Sequence, residues 1–399
     1  MNISINNTKK IYTAFIAALP LFSVYASGIS GFTLGDILLF LFFVYGIILG
    51  YKNIKFNLKT IPLVLFVVSV FVLSTMSILI QPEPDIYNIC IRITRRFFYY
   101  MNVVIISMML FDFAYGKKTI IIIGKIGVVF LFLQYLAFYL GNYVLHGYFT
   151  FLPLYHENYS LLDYEGLYRN IFRPTSFLLE PAHFSRYLCI PLVLCIFGEQ
   201  IKNNFVWAVF MSAAIIASTS GTGAINVIVI WLSFIVYKSK KYISSRKMDW
   251  KYLGVLVILF FAGVLLLNTT AAQIILERIF SSDLNDVNTA AGARFRGYIQ
   301  YLQLPFVYQI IGMGYGSTPN TSLGTWFSGA SYLLYGCGII GFLICLVFFL
   351  SLFTQKNTMD QKILALVFFL LFFMDDCFMS HVFVVYMSFI YGKSNSGEL

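Results

Sequence analysis

The sequence predicts an all-α polytopic membrane protein, with about twelve transmembrane helices and two larger extracytoplasmic loops, on three observations. The first is composition: 59% of the 399 residues are hydrophobic and 11% are charged, where a soluble domain carries about 25% charged residues. The second is a series of apolar runs, most near the roughly 17–25 residues that cross a bilayer. The third is the way positive charge alternates between the connections that join those runs.

Taken in order, Lys9-Lys10 precede an apolar run that ends near Tyr25. It has features of a signal peptide, but the topology favours an uncleaved first span. Further runs lie near 33–51, 61–80, 97–115, 119–140, 182–198, 204–219, 222–237, 252–268, 329–353, 363–375 and 377–391. They predict one integral membrane domain over 1–399, with outer loops at about 141–181 and 269–328. Placing both termini inside puts every lysine on the cytoplasmic side and every arginine except Arg246 at or near the outer side. The lysines obey the positive-inside rule. The outward arginines do not, and they need another purpose. Arginine is the planar, permanently charged ligand for phosphate, so an anionic, lipid-linked substrate fits them. The net charge of +10 is spread in this pattern, with no basic patch suited to nucleic acid. The six cysteines lie in or beside apolar runs without ligand spacing, so neither disulfides nor zinc are expected.

One stretch concentrates the polar chemistry: Arg173-Pro-Thr-Ser-Phe-Leu-Leu-Glu180-Pro181-Ala-His183-Phe-Ser-Arg186. Pro181 suits the first position of a helix. Glu180 then falls at the N-cap, where Ser, Thr, Asp or Asn is usual. Glu180, His183 and Arg186 share an arc of about 120° on that helix. Charged groups at the edge of a bilayer mark a polar cavity unless they are interfacial anchors. Glu180 is the first choice for a base on a sugar hydroxyl and His183 the second. Arg173, Arg186, Arg278, Arg294 and Arg296 are candidates for a diphosphate, and Arg92, Arg95 and Arg96 form a further basic face. Asp375, Asp376 and His381 are a weaker candidate group in the last outer turn. Outer-loop tyrosines read as a membrane belt, with stacking on sugars as the sharper alternative. No HExxH, GxSxG, P-loop or Asp-rich metal motif occurs, and no cofactor is expected.

Three pieces of the chain carry a resemblance. Arg173-x-x-Ser176-x-x-x-Glu180-Pro-Ala is followed by the Ser218-Thr-Ser-Gly-Thr-Gly223 turn. Then comes Gly292-Ala-Arg294-Phe-Arg296-Gly-Tyr298, with Pro305, Gly312-Met-Gly314-Tyr-Gly316 and the pair Gly338/Gly341. In that order they resemble the bacterial O-antigen ligase and polymerase superfamily, most closely a Wzy-type polysaccharide polymerase. Ligases of the superfamily carry a histidine where this chain has Phe327, which favours a polymerase. The resemblance implies metal-independent glycosyl transfer at the outer face of the bacterial cytoplasmic membrane. A growing oligosaccharide on undecaprenyl diphosphate would pass to a new lipid-linked repeat unit of O-antigen, capsule or exopolysaccharide, and a chain-length regulator is conceivable as a partner. Arg173 and Arg294 would then neutralise the leaving diphosphate, Glu180 would deprotonate the acceptor, and Arg278, Arg296 and the Arg92 face would meet the second head group. An O-antigen ligase and a flippase for lipid-linked sugars are the alternatives.

Overall fold

Apolar periodicity and capping residues together account for the helices of the computed structural model, which describes residues 2–50, 58–155, 167–168, 171–198, 204–245, 290–317, 327–355 and 357–392. Helix α1 spans Asn2–Phe22. The chain then turns into α2, Leu34–Gly50, where Thr33 and Asp36 exchange hydrogen bonds between each side chain and the other's backbone N–H, as in a capping box. Helix α3, Ile61–Ile80, has a proline in its first turn, where no N–H is lost. Asp85 caps α4, Ile86–Met101, which continues through a π-helical stretch, Asn102–Ser107, to Leu110. Asp112 caps α5, Phe113–Gly141, and Asn142 ends it in the left-handed conformation.

A two-residue hairpin, β1 (Leu167–Tyr168) and β2 (Ile171–Phe172), precedes α6, Pro181–Phe197. Helices α7 (Asn204–Ala217) and α8 (Gly221–Ser245) follow. After the undescribed 246–289 come α9 (Ala290–Leu302) and α10 (Phe306–Ile311). Then α11 (Gly329–Thr354), kinked at Gly338, α12 (Met359–Met374) and α13 (Val382–Tyr391) complete the described chain.

Four of these elements are long and apolar enough to cross a membrane: Leu58–Ile80, Phe113–Gly141, Gly221–Ser239 and Gly329–Thr354. Their exposed residues are themselves apolar. On α5, Ile122, Ile126, Val129, Leu133, Leu136 and Leu140 are exposed at helical spacing, and on α11 so are Leu343, Val347 and Leu350. A stripe of this kind has no favourable partner in water, and it matches lipid. Helices α6 and α13 are instead buried nearly all round within the bundle, the pattern of central helices. Buried polar side chains tie the centre together: the Tyr12 hydroxyl meets Asn102 and lies 2.7 Å from the Ser107 hydroxyl, which lies 2.8 Å from that of Ser388.

Two expectations shift. The expected span at 97–115 is part of a helix that already begins at Ile86 and breaks at Phe111–Asp112. The arginines that mask its start from a hydropathy reading include Arg92 and Arg96, which lie beside the buried Ile89 and Ile93 on one side of the helix. The expected span at 252–268 and the first part of the fifth outer loop lie outside the described residues.

Alternate connections gather at two ends. Residues of the 23–33, 81–85, 142–180 and 375–381 connections, or of the helix turns beside them, surround one cavity. At the other end, Gln355 donates to the Lys59 carbonyl, and Lys117 lies against Gly198.

Candidate functional site

Glu180 holds an extended backbone before Pro181 and makes no side-chain bond to the helix it caps. Its carboxylate instead lies 3.4 Å from His183 Nε2, one turn on. Arg186, a further turn along, is buried and gives its Nη1 to both Asp375 and Asp376 of the α12–α13 turn. Sequence spacing puts the three side chains on one arc, and the structure pairs the first two. The third lines the same cavity as His183 but is engaged by the two aspartates, the nearest compensation for a buried guanidinium. Arg186 therefore holds the last hairpin against α6 while also lining the cavity. Tyr386 reinforces the same junction by donating to the Arg186 carbonyl at 2.8 Å.

Arg173 meets the second motif. Its Nε donates to the Thr219 hydroxyl at 2.8 Å, and Thr219 has a left-handed backbone in the Ser-rich turn between α7 and α8. The Ser185 hydroxyl of α6 donates to Ser220 of that turn at 2.8 Å. The Arg173–Arg186 stretch and the Ser218–Gly223 turn thus form one polar unit around the start of α6.

Beside this unit lies a cavity of about 480 Å³. Arg92, Arg95 and Arg96 of α4 line one wall, His183 and Arg186 of α6 another, and Asp376 and His381 a third. Tyr332 and Phe327, at the start of α11, and Tyr155 also reach it. Arg95 is committed to structure: it pairs with Asp36 at 2.8 Å and donates to the Tyr99 and Tyr155 hydroxyls at 3.0 and 3.2 Å. Arg92 donates to the Tyr332 hydroxyl at 3.3 Å. Arg96 lies over the Tyr99 ring, and its Nε and Nη1 are buried with no hydrogen-bond partner among the described residues.

The electrostatics separate the acids. Burial pushes the Glu180 carboxyl up to about 7; the charge of Asp376 adds to this and Arg186 opposes it. For Asp376, burial would also raise the value, but the Arg186 guanidinium beside it and a side-chain hydrogen bond with Asp375 hold it well below the carboxylate range. The Asp376 side chain is 55% exposed, and that exposure is toward the cavity it lines. Burial and then the neighbouring Arg186 and Arg95 keep His381 well below its ordinary value, and therefore neutral. The site holds one carboxylate fixed as an anion and a second that exchanges its proton near neutrality. Proton exchange near neutrality is the property expected of a general base.

The glycine-rich motif has a local task. Gly312, Gly314 and Gly316 all have positive φ. A Cβ on Gly316 would lie 3.0 Å from the Arg92 Cβ, and one on Gly312 would strike the Gly336 carbonyl. Met313 N–H donates to the Tyr335 carbonyl at 2.8 Å, and Tyr315 N–H to the Ser74 hydroxyl at 3.0 Å. The turn clamps α3, α4 and α11, and so sets the position of Arg92. Helix α9 packs on α11, with the Tyr298 hydroxyl 3.4 Å from that of Ser328. Arg294 lies on α9, but its side chain is outside the described residues, as is Arg278 altogether. Arg296 does not line the cavity.

The structure thus brings His183, with Glu180 beside it, to the Arg92 face and to Asp376 and His381, which sequence reasoning ranks low. The signal available for them was the i, i+4 spacing of Arg92 and Arg96 behind an Asp85 cap, and two adjacent aspartates in a short apolar hairpin. No protein-family model matches the chain and no curated protein matches it, so the site is read from its own geometry.

Proposed function

We propose that this chain polymerises undecaprenyl-diphosphate-linked oligosaccharide repeat units at the outer face of the bacterial cytoplasmic membrane, by metal-independent glycosyl transfer. It would do so as a multi-pass protein of about twelve spans with both termini inside. The observation that carries this reading is a cavity walled by guanidiniums inside an apolar helical bundle, with the Glu180–His183 pair at its edge. Its volume of about 480 Å³ is in the range of small-ligand sites.

In this reading the acceptor hydroxyl gives its proton to ionised Glu180, which His183 orients. The oxygen attacks the anomeric carbon of the donor, and the bond from that carbon to the diphosphate oxygen breaks. Undecaprenyl diphosphate leaves with the bonding electrons. Arg173 and Arg294 neutralise the charge that develops on it, the term that dominates such reactions. Asp376, held ionised by Arg186, keeps Glu180 basic enough to accept the proton. Phe327 reaches the cavity at the place where ligases of the resembling superfamily carry histidine, which supports polymer growth over transfer to another acceptor.

The test is the surface-glycan profile of a deletion strain complemented with Arg173→Ala or Arg294→Ala. Normal insertion, loss of long chains and accumulation of single lipid-linked repeat units are the expected outcome. Normal chain lengths in both variants, at normal expression, would sink the proposal. Accumulation of long lipid-linked chains in the deletion strain would point to a ligase.

A further inference from the structure

The cavity holds more positive charge than the described residues neutralise. Arg95 is paired with Asp36, and Arg186 with Asp375 and Asp376. Arg92 and Arg96, which line the same cavity, have no carboxylate partner among the described residues. They stand four residues apart on α4, so their side chains project from one face. Arg92 reaches the phenol of Tyr332, and Arg96 keeps Nε and Nη1 buried without an acceptor. The groups closest in influence to Arg96 are Tyr315, its neighbour Arg95, Tyr99 and Tyr332. Phenols are neutral at working pH, and a second cation makes the imbalance worse. A buried guanidinium does not escape by losing its proton. It is retained at a cost to stability unless a ligand supplies the anion.

The geometry around the pair is built. Gly316 has a left-handed backbone that any side chain would strain, and its Cβ position abuts the Arg92 Cβ. The glycine turn therefore fixes the base of the Arg92 side chain. The ring of Tyr99 lies 5.2 Å beneath the Arg96 guanidinium, a cation–π contact that holds the plane without using its N–H groups. Two guanidiniums one turn apart, with free N–H groups, suit the several oxygens of a phosphate or diphosphate, which each can bind in bidentate fashion.

We propose that Arg92 and Arg96 form an oxyanion seat on the α4 wall of the cavity. It takes the phosphate or diphosphate head group of a second lipid-linked saccharide, the acceptor. The identity of that lipid rests on the glycosyl-transfer reading above. The seat is distinct from the one assigned to Arg173, whose Nε is engaged by the Thr219 hydroxyl of the α7–α8 turn and which does not line the cavity. Two seats, one in the cavity and one in the polar unit beside it, would let donor and acceptor be held together.

The experiment is ligand counting by native mass spectrometry on the purified full chain, with undecaprenyl diphosphate, inorganic pyrophosphate and undecaprenol as separate probes. The wild type is expected to bind two molecules of undecaprenyl diphosphate. Arg92→Gln/Arg96→Gln is expected to bind one, and Arg173→Gln/Arg294→Gln also one. Pyrophosphate should compete for the α4 seat, and undecaprenol binding should not respond to the Arg92/Arg96 change. If the Arg92/Arg96 variant still binds two, or if undecaprenol binding falls with it, the seat is overturned. If the wild type binds one molecule that is lost only with Arg173/Arg294, the seat is overturned while the proposed function stands. If the one molecule is lost only with Arg92/Arg96, the seat stands and the role given to Arg173 and Arg294 fails. Wild type that binds none overturns both.

A folding artefact is separable. Because Arg96 Nε and Nη1 have no hydrogen-bond partner among the described residues, Arg96→Gln should melt no lower than wild type without ligand, and pyrophosphate should raise its Tm by less than it raises that of wild type. A variant that melts lower and responds to pyrophosphate as fully as wild type overturns the seat. Arg92→Gln alone, at a half-buried position, gives the same reading should the double variant fail to express.

Discussion

Glu180 exchanges its proton near neutrality because burial and Asp376 disfavour its charge more than Arg186 and Arg173 favour it. A base must be ionised, so the transfer rate of purified protein should rise with pH and level off above an apparent pKa of about 7. Glu180→Gln should lower the rate about a hundredfold or more, the usual contribution of a positioned base. A variant retaining most of the rate, or a flat profile, would remove Glu180 from the reaction. The same shift has a consequence for stability. Between the ordinary value of 4.5 and about 7, the folded state keeps the proton that the unfolded state has lost. Stability therefore falls as pH rises through that window, and Glu180→Gln removes the penalty. In thermal melts at about pH 8 the variant should be more stable than wild type, and the gain should vanish below about pH 4. Arg186 behaves in the opposite way. Arg186→Gln would leave Asp375 buried without its cation, at a cost of about 3–5 kcal/mol, read as a large fall in Tm with the hairpin loosened from α6. A variant that melts like wild type would refute that role. At this scale the sequence was informative about chemistry and silent about partners. Helical spacing identified Glu180 with His183, which do meet. It also grouped Arg186 with them, because spacing along one helix carries no information about the aspartates that arrive from a hairpin 189 residues away.

At the scale of elements, the glycine-rich turn links the fold to the site. Gly312–Gly316 touches α3, α4 and α11 at once, and each contact uses backbone that a side chain would displace. Gly316→Ala combines a strained φ with a contact at 3.0 Å to the Arg92 Cβ, the Asn88 carbonyl and the Ile89 Cα. A destabilisation of about 1–3 kcal/mol is expected from the strain alone. Because Arg92 is displaced, pyrophosphate binding should weaken by more than the Tm change explains. Ser317→Ala, at the end of the same turn, removes a hydroxyl that among the described residues bonds within the turn, and it should leave binding near wild type. Equal effects of the two substitutions would mean that the turn does not position Arg92. The motif was legible as a pattern of glycines, and its purpose was not, since close approach of three helices leaves no trace in the turn's own residues. Helix α4 shows the converse. Its arginines lowered the local hydropathy, so the sequence read its first half as loop. The Asp85 cap and the buried Ile89 and Ile93 make it a helix from Ile86, and they thereby turn a loop of arginines into a cavity wall.

At the scale of the whole molecule, the arginine–lysine division and the cavity tell one story. Ser30 and Gly31 from the first connection, Asn88 and Arg92 from the start of α4, Tyr155 from the third outer segment and His381 from the last hairpin all line the cavity. These are the connections that charge alone assigned to one side. Lys59 and Lys117 sit at the opposite ends of α3 and α5, beside Gln355 and Gly198. The alternation was legible because lysine placement is a topogenic signal independent of packing; the gathering of distant connections around one cavity was not, because it depends on how the helices pack. Orientation follows as a measurement. With Cys90, the exposed native cysteine, replaced by serine, Glu83→Cys in the α3–α4 turn and Lys118→Cys at the start of α5 place single accessible thiols at the two ends. A membrane-impermeant maleimide applied to intact cells should label Glu83→Cys at once and Lys118→Cys only after permeabilisation. The reverse pattern would turn the cavity toward the cytoplasm. It would then face nucleotide-activated donors, and the case for a lipid-diphosphate donor, which rests on an outer-facing site, would fall with it.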